Sequence, residues 1–374
     1  MDYVQPIGYE GVREAEDRRR RLKRLTALFL VGLLLLMALA VLYFLLFLPS
    51  RQAVQAPGQP FRLLYSIYGL NRPYSVAVDG KGQTYVSDTG NARVLMFDNR
   101  GEYIRQLGTD RLPGKVYAPY GGILDEKAGQ FYVSDFTAGS ISIFGTDGKF
   151  VRRFPNGYLK EFGKIGFTPF DIEMYKGKLY VTSNDGIVIF DKSGRFLAKW
   201  GSGVRGNRPG EFDYPNGLAV DQKRGRFYVA DVLNRRVVAM DSKGKMLWTL
   251  GKPDVNGQIV SFFGLPRGIA VDPEGRVYVT DTFHFKIVVL RPNGDLISVA
   301  GERGVEDAKF NFPEGISIDK DGVLYVADRE NNRVQALRMV SYPKPTPAEL
   351  STYRVSFQSF EGQKTQPATA ESGK

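Results

Sequence analysis

PRGIAVDPEGRVYVTDTFHFKIVVL, residues 266–290, is the stretch of sequence that decides the fold. It opens with a proline, runs through a short β-branched segment, turns at Pro-Glu-Gly, alternates as VYVTD, turns again and ends as KIVVL. Short segments of β-forming side chains between Gly- and Pro-containing turns are typical of consecutive antiparallel strands. The stretch therefore predicts three strands of one sheet.

The same pattern occurs six times along the chain. The opening prolines are Pro73, Pro119, Pro169, Pro215, Pro266 and Pro313, with spacings of 46 to 51 residues. Five units add a fourth strand-like segment, at 103–107, 150–154, 196–200, 246–250 and 296–300. Four strands in about 40–50 residues are typical of one blade of a β-propeller. The sequence therefore predicts an all-β, six-bladed β-propeller over residues 61–340.

The last unit lacks one strand. After Arg338 the chain soon reaches SYPKPTPAEL, whose prolines disfavour a strand. Residues 61–69, FRLLYSIYG, resemble the fourth segments of the other units, including the final glycine. We therefore expect this first segment of the body to complete the last blade, which closes the ring and removes a free sheet edge.

Residues 25–48, LTALFLVGLLLLMALAVLYFLLFL, form an uncharged apolar run without proline. A bilayer core of about 30 Å needs roughly 20 apolar residues in a helix, so the run predicts one transmembrane helix. Segment 1–24 holds seven Lys or Arg residues, whereas Arg51 alone follows the run closely. The positive-inside rule then predicts a single-pass protein of the plasma membrane, with the basic tail 1–24 in the cytoplasm and the propeller outside.

A cleaved signal peptide is the alternative to this signal anchor. Its apolar region would be about 7–15 residues long and would end at a small-x-small cleavage site. The run here is longer, and the nearest such site, 54–56 (VQA), is followed by Pro57. The uncleaved anchor is therefore favoured. Residues 49–60 are expected to form a short stalk, and the polar, Pro-containing segment 341–374 a largely disordered tail.

Composition excludes several kinds of site. The chain has no Cys and one His, His284. Disulfides, thiolate nucleophiles, Cys metal sites and zinc sites with two histidines are therefore excluded. We predict no catalytic residue, no metal site and no cofactor. Asp171, Glu173 and Glu314 have oxygen ligands that suit a hard cation such as Ca²⁺, but no ligand spacing supports it strongly.

The net charge of +11 raises the question of an anionic partner. Basic proteins often bind nucleic acid, but a propeller outside the cell would not meet it. Anionic polymers of the cell envelope or lipid head groups are the better partners. A solvated surface that only keeps the protein soluble is the alternative.

The turn after the second segment of a unit carries a further motif. An Asp ends the segment, an Asn or His follows three residues later, and a basic residue comes two after that. The matches are Asp88, Asn91 and Arg93; Asp231, Asn234 and Arg236; Asp281, His284 and Lys286; and Asp328, Asn331 and Arg333. Unit two has Ala138 and Ser140 instead, and unit three has Ser183 at the Asp position. Over residues 61–338 this pattern resembles NHL repeats.

The resemblance implies a six-bladed propeller used mostly for binding. Similar architectures include the external sensor domains of bacterial receptor kinases and the lyase domain of peptide-amidating enzymes. Those lyases use several metal-binding histidines, which this chain lacks. Because the Asp and the basic residue recur in nearly equivalent units, we expect them to stabilise turns. His284 occupies the Asn position and is expected to be a turn residue as well.

Positions that differ between units are better candidates for specific binding. The residue after each opening proline begins the first strand, near the axis of a propeller. These residues are Tyr74, Tyr120, Phe170, Asn216, Arg267 and Glu314. Three aromatic and three polar side chains suit a sugar or peptide ligand; the alternative is that they only pack the loops.

Five long loops enter the opening prolines, at 108–118, 156–168, 201–214, 251–265 and 301–312. By propeller topology they lie on one face, and loops on a rigid scaffold commonly carry binding sites. The sequence thus predicts a membrane-anchored extracytoplasmic binding or scaffold propeller, and not an enzyme, whose loop-rich face recognises a protein, peptide or envelope polymer. The alternative is an extracytoplasmic enzyme of the lyase or hydrolase type that uses a channel-bound cation and carboxylates.

Overall fold

The computed structural model describes residues 59–155, 166–251, 263–344 and 346, and in the N-terminal segment residues 18, 21–23, 25, 31 and 32. The chain divides into two units, Met1–Ala56 and Pro57–Lys374. The described N-terminal positions are helical. The predicted span 25–48, the stalk and the tail lie mostly outside the described residues, and among those described no helix is long and apolar enough to cross a membrane.

The second unit is an all-β propeller of six four-stranded sheets, which confirms the predicted fold. Blade 1 contains β2 (Ser75–Val78), β3 (Thr84–Asp88), β4 (Arg93–Phe97) and β5 (Tyr103–Leu107); blade 2 contains β6 (Pro119–Asp125), β7 (Gln130–Asp135), β8 (Ser140–Gly145) and β9 (Phe150–Phe154). Blade 3 contains β10 (Ile172–Tyr175), β11 (Lys178–Ser183), β12 (Gly186–Asp191) and β13 (Phe196–Trp200); blade 4 contains β14 (Pro215–Asp221), β15 (Arg226–Asp231), β16 (Arg236–Asp241) and β17 (Met246–Leu250).

Blade 5 contains β18 (Pro266–Val271), β19 (Val277–Asp281), β20 (Lys286–Leu290) and β21 (Leu296–Ala300), and blade 6 contains β22 (Pro313–Ile318), β23 (Val323–Asp328), β24 (Arg333–Met339) and β1 (Phe61–Ile67). Short 3-10 turns follow β3 at Thr89–Asn91 and β23 at Arg329–Asn331. The five predicted fourth strands are all present.

Ring closure takes place in blade 6, where strands from both ends of the repeat pair. The sheet order is β1-β24-β23-β22. β1 is antiparallel to β24, with Phe61 opposite Met339 and Ile67 opposite Val334. The prediction that the first segment of the body completes the last blade is therefore confirmed. Each blade then has its fourth strand outermost, and the first strands surround the axis.

The first strands pack closely because small residues occupy their axial positions. A Cβ atom added at Gly217 would lie 2.3 Å from the carbonyl oxygen of Arg267 in the next blade. At Gly268 it would lie 2.4 Å from the carbonyl oxygen of Glu314. Glycine at these positions therefore lets neighbouring first strands approach each other around the channel.

The apolar core lies between the blades. Each of the six buried clusters in the described part joins two neighbouring sheets. Between blades 1 and 2, for example, Tyr85 and Phe131 stack with ring centroids 4.5 Å apart. Second strands are buried along nearly their whole length because they face a blade on either side.

The strand order defines two faces. Loops between blades and turns between second and third strands lie on one side, called the loop face below. The remaining turns lie on the opposite side, called the turn face. β1 begins and β24 ends at the turn face, where the N–H of Val340 donates to the carbonyl oxygen of Pro60 at 2.9 Å. Both ends of the repeat therefore leave the propeller from the turn face.

Candidate functional site

The six residues that follow the opening prolines meet at the loop-face end of the channel. They are called the mouth residues below and are Tyr74, Tyr120, Phe170, Asn216, Arg267 and Glu314. The rings of Tyr74 and Tyr120 have centroids 3.8 Å apart, and those of Tyr120 and Phe170 are 6.1 Å apart. The structure thus brings together all six residues that the sequence places near the axis. Their role in binding stays a prediction.

The mouth residues contact one another instead of surrounding an open hole. The hydroxyl oxygen of Tyr74 accepts hydrogen bonds from Asn216 Nδ2 at 2.8 Å and from Arg267 Nη1 at 2.5 Å. Blade 4, which carries Asn216, lies opposite blade 1 in the ring. The side chain of Tyr74 therefore crosses the axis and closes the channel at this face.

Glu314 is the most deeply buried mouth residue, with 1% of its surface exposed. Its carboxylate lies 3.6 Å from Arg267 Nε and 3.6 Å from Arg329 Nη1. Burial raises the pKa of Glu314, and the charges of the two arginines oppose that shift. Burial also raises the pKa of Tyr74, so its hydroxyl stays neutral at physiological pH.

The backbone of three mouth residues is fixed from the neighbouring blade. Ser134, Thr182 and Thr280 on the second strands donate at 2.5 Å to the carbonyl oxygens of Phe170, Asn216 and Glu314. These hydroxyls are buried. The bonds tie each second strand to the first strand of the next blade and hold the mouth in one conformation.

Sequence reasoning missed residues that enlarge the mouth. Phe136 stacks on Tyr120 at 5.0 Å and lies 5.6 Å from Phe170, and Tyr214 lies 6.0 Å from Phe170. Arg329 completes the polar side. Phe136 and Arg329 each follow the residue that ends the second strand of their blade. A comparison of the six units at this position, like the one made for the residue after each opening proline, would have found both.

Three aromatic residues at the loop face adopt left-handed backbone conformations, namely Tyr214, Phe312 and Phe285, the last with a φ angle of 57°. The φ angle is 53° at Tyr214 and 54° at Phe312, each directly before an opening proline. This region costs bulky residues on the order of 1–3 kcal/mol, and such strain is concentrated at functional sites. Phe312 lies 6.0 Å from Phe283 and 5.4 Å from Phe285 and forms a second aromatic group with them.

The channel contains a partly open cavity of about 80 Å³, which is bordered by mouth residues and lined in part by Asp171 and Glu173 of blade 3. Asp171 stands where four blades have glycine, and Glu173 stands where the others have Ala, Ile or Ser. Asp171 accepts hydrogen bonds from the N–H groups of Ile172 and Leu218, both at 2.9 Å.

Both channel carboxylates have raised pKa values. Burial raises the pKa of Asp171 to about 6. Burial, and to a lesser extent the charge of Asp171, raises the pKa of Glu173 to about 8. No group of three or more acidic or His side chains that could hold a metal ion occurs within the described ranges. The Ca²⁺ suggested by the sequence stays a prediction.

The recurrent Asp residues stabilise the loop face, as expected. Asp231 is fully buried and accepts hydrogen bonds from the N–H of Asp213 at 2.8 Å, from Asn234 Nδ2 at 2.8 Å and from Arg236 Nε at 2.7 Å. Each such carboxylate joins the loop that enters its blade to the turn after its second strand. In blade 5 His284 Nδ1 takes the place of the amide, 2.8 Å from Asp281.

Exposed large apolar side chains concentrate on the loop face. They are Tyr68, Leu112, Tyr117, Val204, Leu233, Phe283 and Val305. The others in the described part of the propeller lie on the outermost strands or directly after β24. No such side chain lies in a described turn of the turn face, where segments such as 98–102 (DNRGE) and 222–225 (QKRG) are polar.

Two sequence-family profiles match parts of the chain. The profile described as NHL repeat matches residues 310–337, and the SMP-30/Gluconolactonase/LRE-like region matches residues 196–301. A streptogramin B lyase structure has a similar fold, with a TM-score of 0.51 and 15% identity over 75% of this chain and 98% of that one. At this identity the likeness shows the fold alone. The chain is thus a propeller of the type found in these families.

Curated relatives match over shorter parts. The probable peptidyl-alpha-hydroxyglycine alpha-amidating lyase pgal-1 of Caenorhabditis elegans is 30% identical over 130 residues, 34% of this chain and 35% of the relative. Protein brain tumor of Drosophila melanogaster is 30% identical over 125 residues, 32% of this chain and 11% of the relative. The chain thus spans about a third of the first and a tenth of the second. A relative named as a lyase weighs against the expectation that this chain is not an enzyme.

Proposed function

We propose that this protein is a binding propeller that docks a protein or peptide partner on its loop face, around the mouth residues. The observation that carries the proposal is the unequal distribution of exposed apolar side chains between the two faces. Leu112 and Val305 are each 70% exposed, and Phe283 is 50% exposed. Exposed apolar groups gathered on one side of a propeller indicate an interaction site.

The surroundings of these side chains suit a peptide or protein. Guanidinium groups lie over aromatic rings at the loop face, with Arg205 5.2 Å from the ring of Tyr214 and Arg303 5.2 Å from the ring of Phe285. Aromatic and Arg side chains are enriched where proteins bind each other. Both ends of the repeat leave from the turn face, opposite the proposed docking site.

We further propose that residues 25–48 anchor the protein in the plasma membrane, with the propeller outside the cell. The support is the length of the apolar run and the basic flank before it, both features of the sequence. An anionic envelope polymer then remains the alternative partner, because the chain has a net charge of +11.

Affinity capture with paired variants tests the docking proposal. The full-length protein, purified in detergent, is immobilised and incubated with envelope fractions of its source cells, and bound proteins are identified by mass spectrometry. Leu233→Ser together with Phe283→Ser is expected to lower recovery of the partner about tenfold, which corresponds to about 1.4 kcal/mol of binding free energy.

The matched control places the same change elsewhere. Tyr103 and Leu247 are exposed apolar residues of outermost strands, 61% and 38% exposed. Tyr103→Ser together with Leu247→Ser is expected to leave recovery unchanged. Equal recovery from the loop-face variant and the control variant would refute docking on the loop face.

A second candidate function is an enzyme of the lyase or hydrolase type that works in the channel. The raised pKa values of Asp171 and Glu173 favour it, since acid–base groups in clefts commonly titrate near neutrality. Metal analysis of the purified protein, with the Asp171→Ala and Glu173→Ala double variant as control, separates the two functions. Stoichiometric metal that the double variant loses, together with turnover of a substrate, would replace the binding proposal.

A further inference from the structure

The polar half of the mouth presents hydrogen-bond donors that the protein itself does not use. We propose that the mouth binds an anionic group, a carboxylate or a phosphate, carried beside a flat apolar group of the same ligand. The inference rests on the proposed function and names the ligand chemistry of that site. A peptide that ends in an aromatic residue, or a phosphorylated aromatic group, has this chemistry.

The unused donors belong to Arg267 and Arg329. Arg267 donates from Nη1 to the hydroxyl oxygen of Tyr74, and its buried Nε lies 3.6 Å from Glu314 Oε2, an oxygen that also has no hydrogen-bond partner. The remaining nitrogen, Nη2, donates to no residue that the structure describes. The nearest carboxylate oxygens to Arg329 Nη1 are those of Glu330 at 3.5 Å and Glu314 at 3.6 Å, both longer than a hydrogen bond. Among the residues the structure describes, none accepts a hydrogen bond from the Arg329 side chain.

Tyr74 supplies a third donor to the same place. Its hydroxyl oxygen accepts from Asn216 and from Arg267, so both of these contacts use oxygen lone pairs. The hydroxyl proton is left without an acceptor within the described part of the chain. A ligand that brings acceptors in from the loop face would therefore complete bonds that the mouth residues leave open.

The exposed fractions of the charged side chains show which of them a ligand from the loop face contacts first. The side chains of Arg267 and Arg329 are 27% and 28% exposed, whereas that of Glu314 is 2% exposed. The carboxylate of Glu314 thus lies beneath the two guanidinium groups. Glu330, whose side chain is 32% exposed, lies 3.5 Å from Arg329 Nη1 and is also paired with Arg72 Nη2 at 2.7 Å. The three guanidinium groups and two carboxylates therefore leave one positive charge in excess at the mouth. Guanidinium forks bind carboxylate and phosphate groups through paired, charge-assisted hydrogen bonds.

The other half of the mouth is aromatic and directly adjacent. Tyr120 lies against Tyr74 on one side and stacks on Phe136 on the other. The channel cavity, at about 80 Å³, is too small for an aromatic ring together with an anionic group. The flat part of the ligand therefore contacts the part-exposed edges of the Tyr120 and Phe136 rings, whose faces stack on each other, and its anionic group lies over Arg267 and Arg329.

Ligand-detected NMR on the full-length protein in detergent tests this arrangement with small probes. N-acetylphenylalanine and phenyl phosphate are the two anionic probes, N-acetylphenylalaninamide is the neutral match, and N-acetylglycine is the anion without a ring. We expect at least one aromatic anion to bind about tenfold or more tightly than both the amide and N-acetylglycine. The tighter of the two anions identifies whether carboxylate or phosphate is preferred.

Two arginine variants test whether Arg329 is responsible for the tighter binding of the aromatic anion. Arg329→Gln is expected to lower the affinity for the aromatic anion to that for the amide. A melting transition above the assay temperature checks that the variant is folded, because Gln no longer offsets the charge of the buried Glu314. Arg100→Gln is the control, since Arg100 lies on the turn face with its side chain 75% exposed. Its affinity for the anion is expected to equal that of the unaltered protein.

Equal affinity for the anions and the amide would overturn the inference, as would full anion binding by Arg329→Gln. These results are separate from the test of docking. If the Leu233→Ser and Phe283→Ser variant loses its partner while the anionic probes and the amide bind equally, the docking proposal is supported and the proposed anion site is refuted. If partner capture survives that variant, the proposed function falls whatever the probes show.

Discussion

Asp231 shows how one residue holds several parts of a blade together. It accepts hydrogen bonds from the loop before β14, from the turn after β15 and from Arg236 at the start of β16. Arg236 is itself only 6% exposed, and it also donates to the carbonyl oxygens of Asn207 and Glu211. The pair therefore fixes a loop on the proposed docking face, and its duty is structural.

Asp231→Ala is expected to lower the free energy of unfolding by about 3–5 kcal/mol, because it leaves the buried charge of Arg236 without its counter-ion. Urea unfolding monitored by circular dichroism measures the loss. Glu102→Ala, at a side chain that is 72% exposed, is the control and is expected to leave the unfolding midpoint unchanged. A loss no larger than that of the control would show that the recurrent Asp does not stabilise the blade.

Glu173 is expected to make stability depend on pH. Its pKa in the folded protein is about 8, raised from 4.5, so the folded state retains a proton that the unfolded state loses. Stability should therefore fall as pH rises from about 4.5 to 8 and then level off. Glu173→Gln removes this loss, so the variant should gain stability relative to the unaltered protein across that window. A constant difference between the two unfolding midpoints from pH 5 to 8 would contradict the raised pKa.

At the scale of elements, β1 completes the fold. Phe61 and Ile67 at its two ends are each 1% exposed. Phe61 contacts Phe310 edge to face, with centroids 5.9 Å apart, and packs in the cluster between blades 5 and 6. A strand that precedes the first blade in sequence therefore buries apolar surface in the last blade, which couples the two ends of the repeat.

Phe61→Ala is expected to cost about 3–5 kcal/mol of stability, since it leaves a cavity where the ring closes. Tyr103→Ala is the matched control, because Tyr103 is also an aromatic residue of a fourth strand but is 61% exposed. Its cost should stay below about 1 kcal/mol. Thermal unfolding of both variants measures the difference, and similar losses would mean that closure through β1 contributes little.

At the scale of the whole molecule, the two faces of the propeller have different duties. At the turn face β1 begins and β24 ends, and the described turns of this face are polar. The loop face carries the mouth residues, the strained aromatic residues and seven of the thirteen exposed large apolar side chains in the described part of the propeller. The first and last strands of the repeat therefore begin and end on the face opposite the proposed binding site.

The absence of cysteine makes the proposed membrane topology simple to test, because each introduced thiol is unique. A membrane-impermeant maleimide added to intact cells is expected to label Ser341→Cys, which is exposed directly after β24. Arg18→Cys should react only after the cells are permeabilised. The opposite pattern would place the propeller in the cytoplasm and would remove the envelope partners with it.

The sequence by itself determined the six blades, their fourth strands, the closure through residues 61–69 and the meeting of the mouth residues at the axis. These features follow from a repeated local pattern, because strand period, turn residues and unit length are all properties of neighbouring residues. The structural duty of the recurrent Asp follows from the same repetition.

Only the tertiary structure decided how the mouth is filled. Tyr74 crosses the axis to bond Asn216 and Arg267, which are 142 and 193 residues away in the chain. The left-handed conformations of Tyr214 and Phe312 and the raised pKa of Glu173 likewise depend on what the assembled ring places around them. The physical reason is that such contacts are set by the diameter of the ring and by side-chain packing across it, and no local pattern encodes either of these.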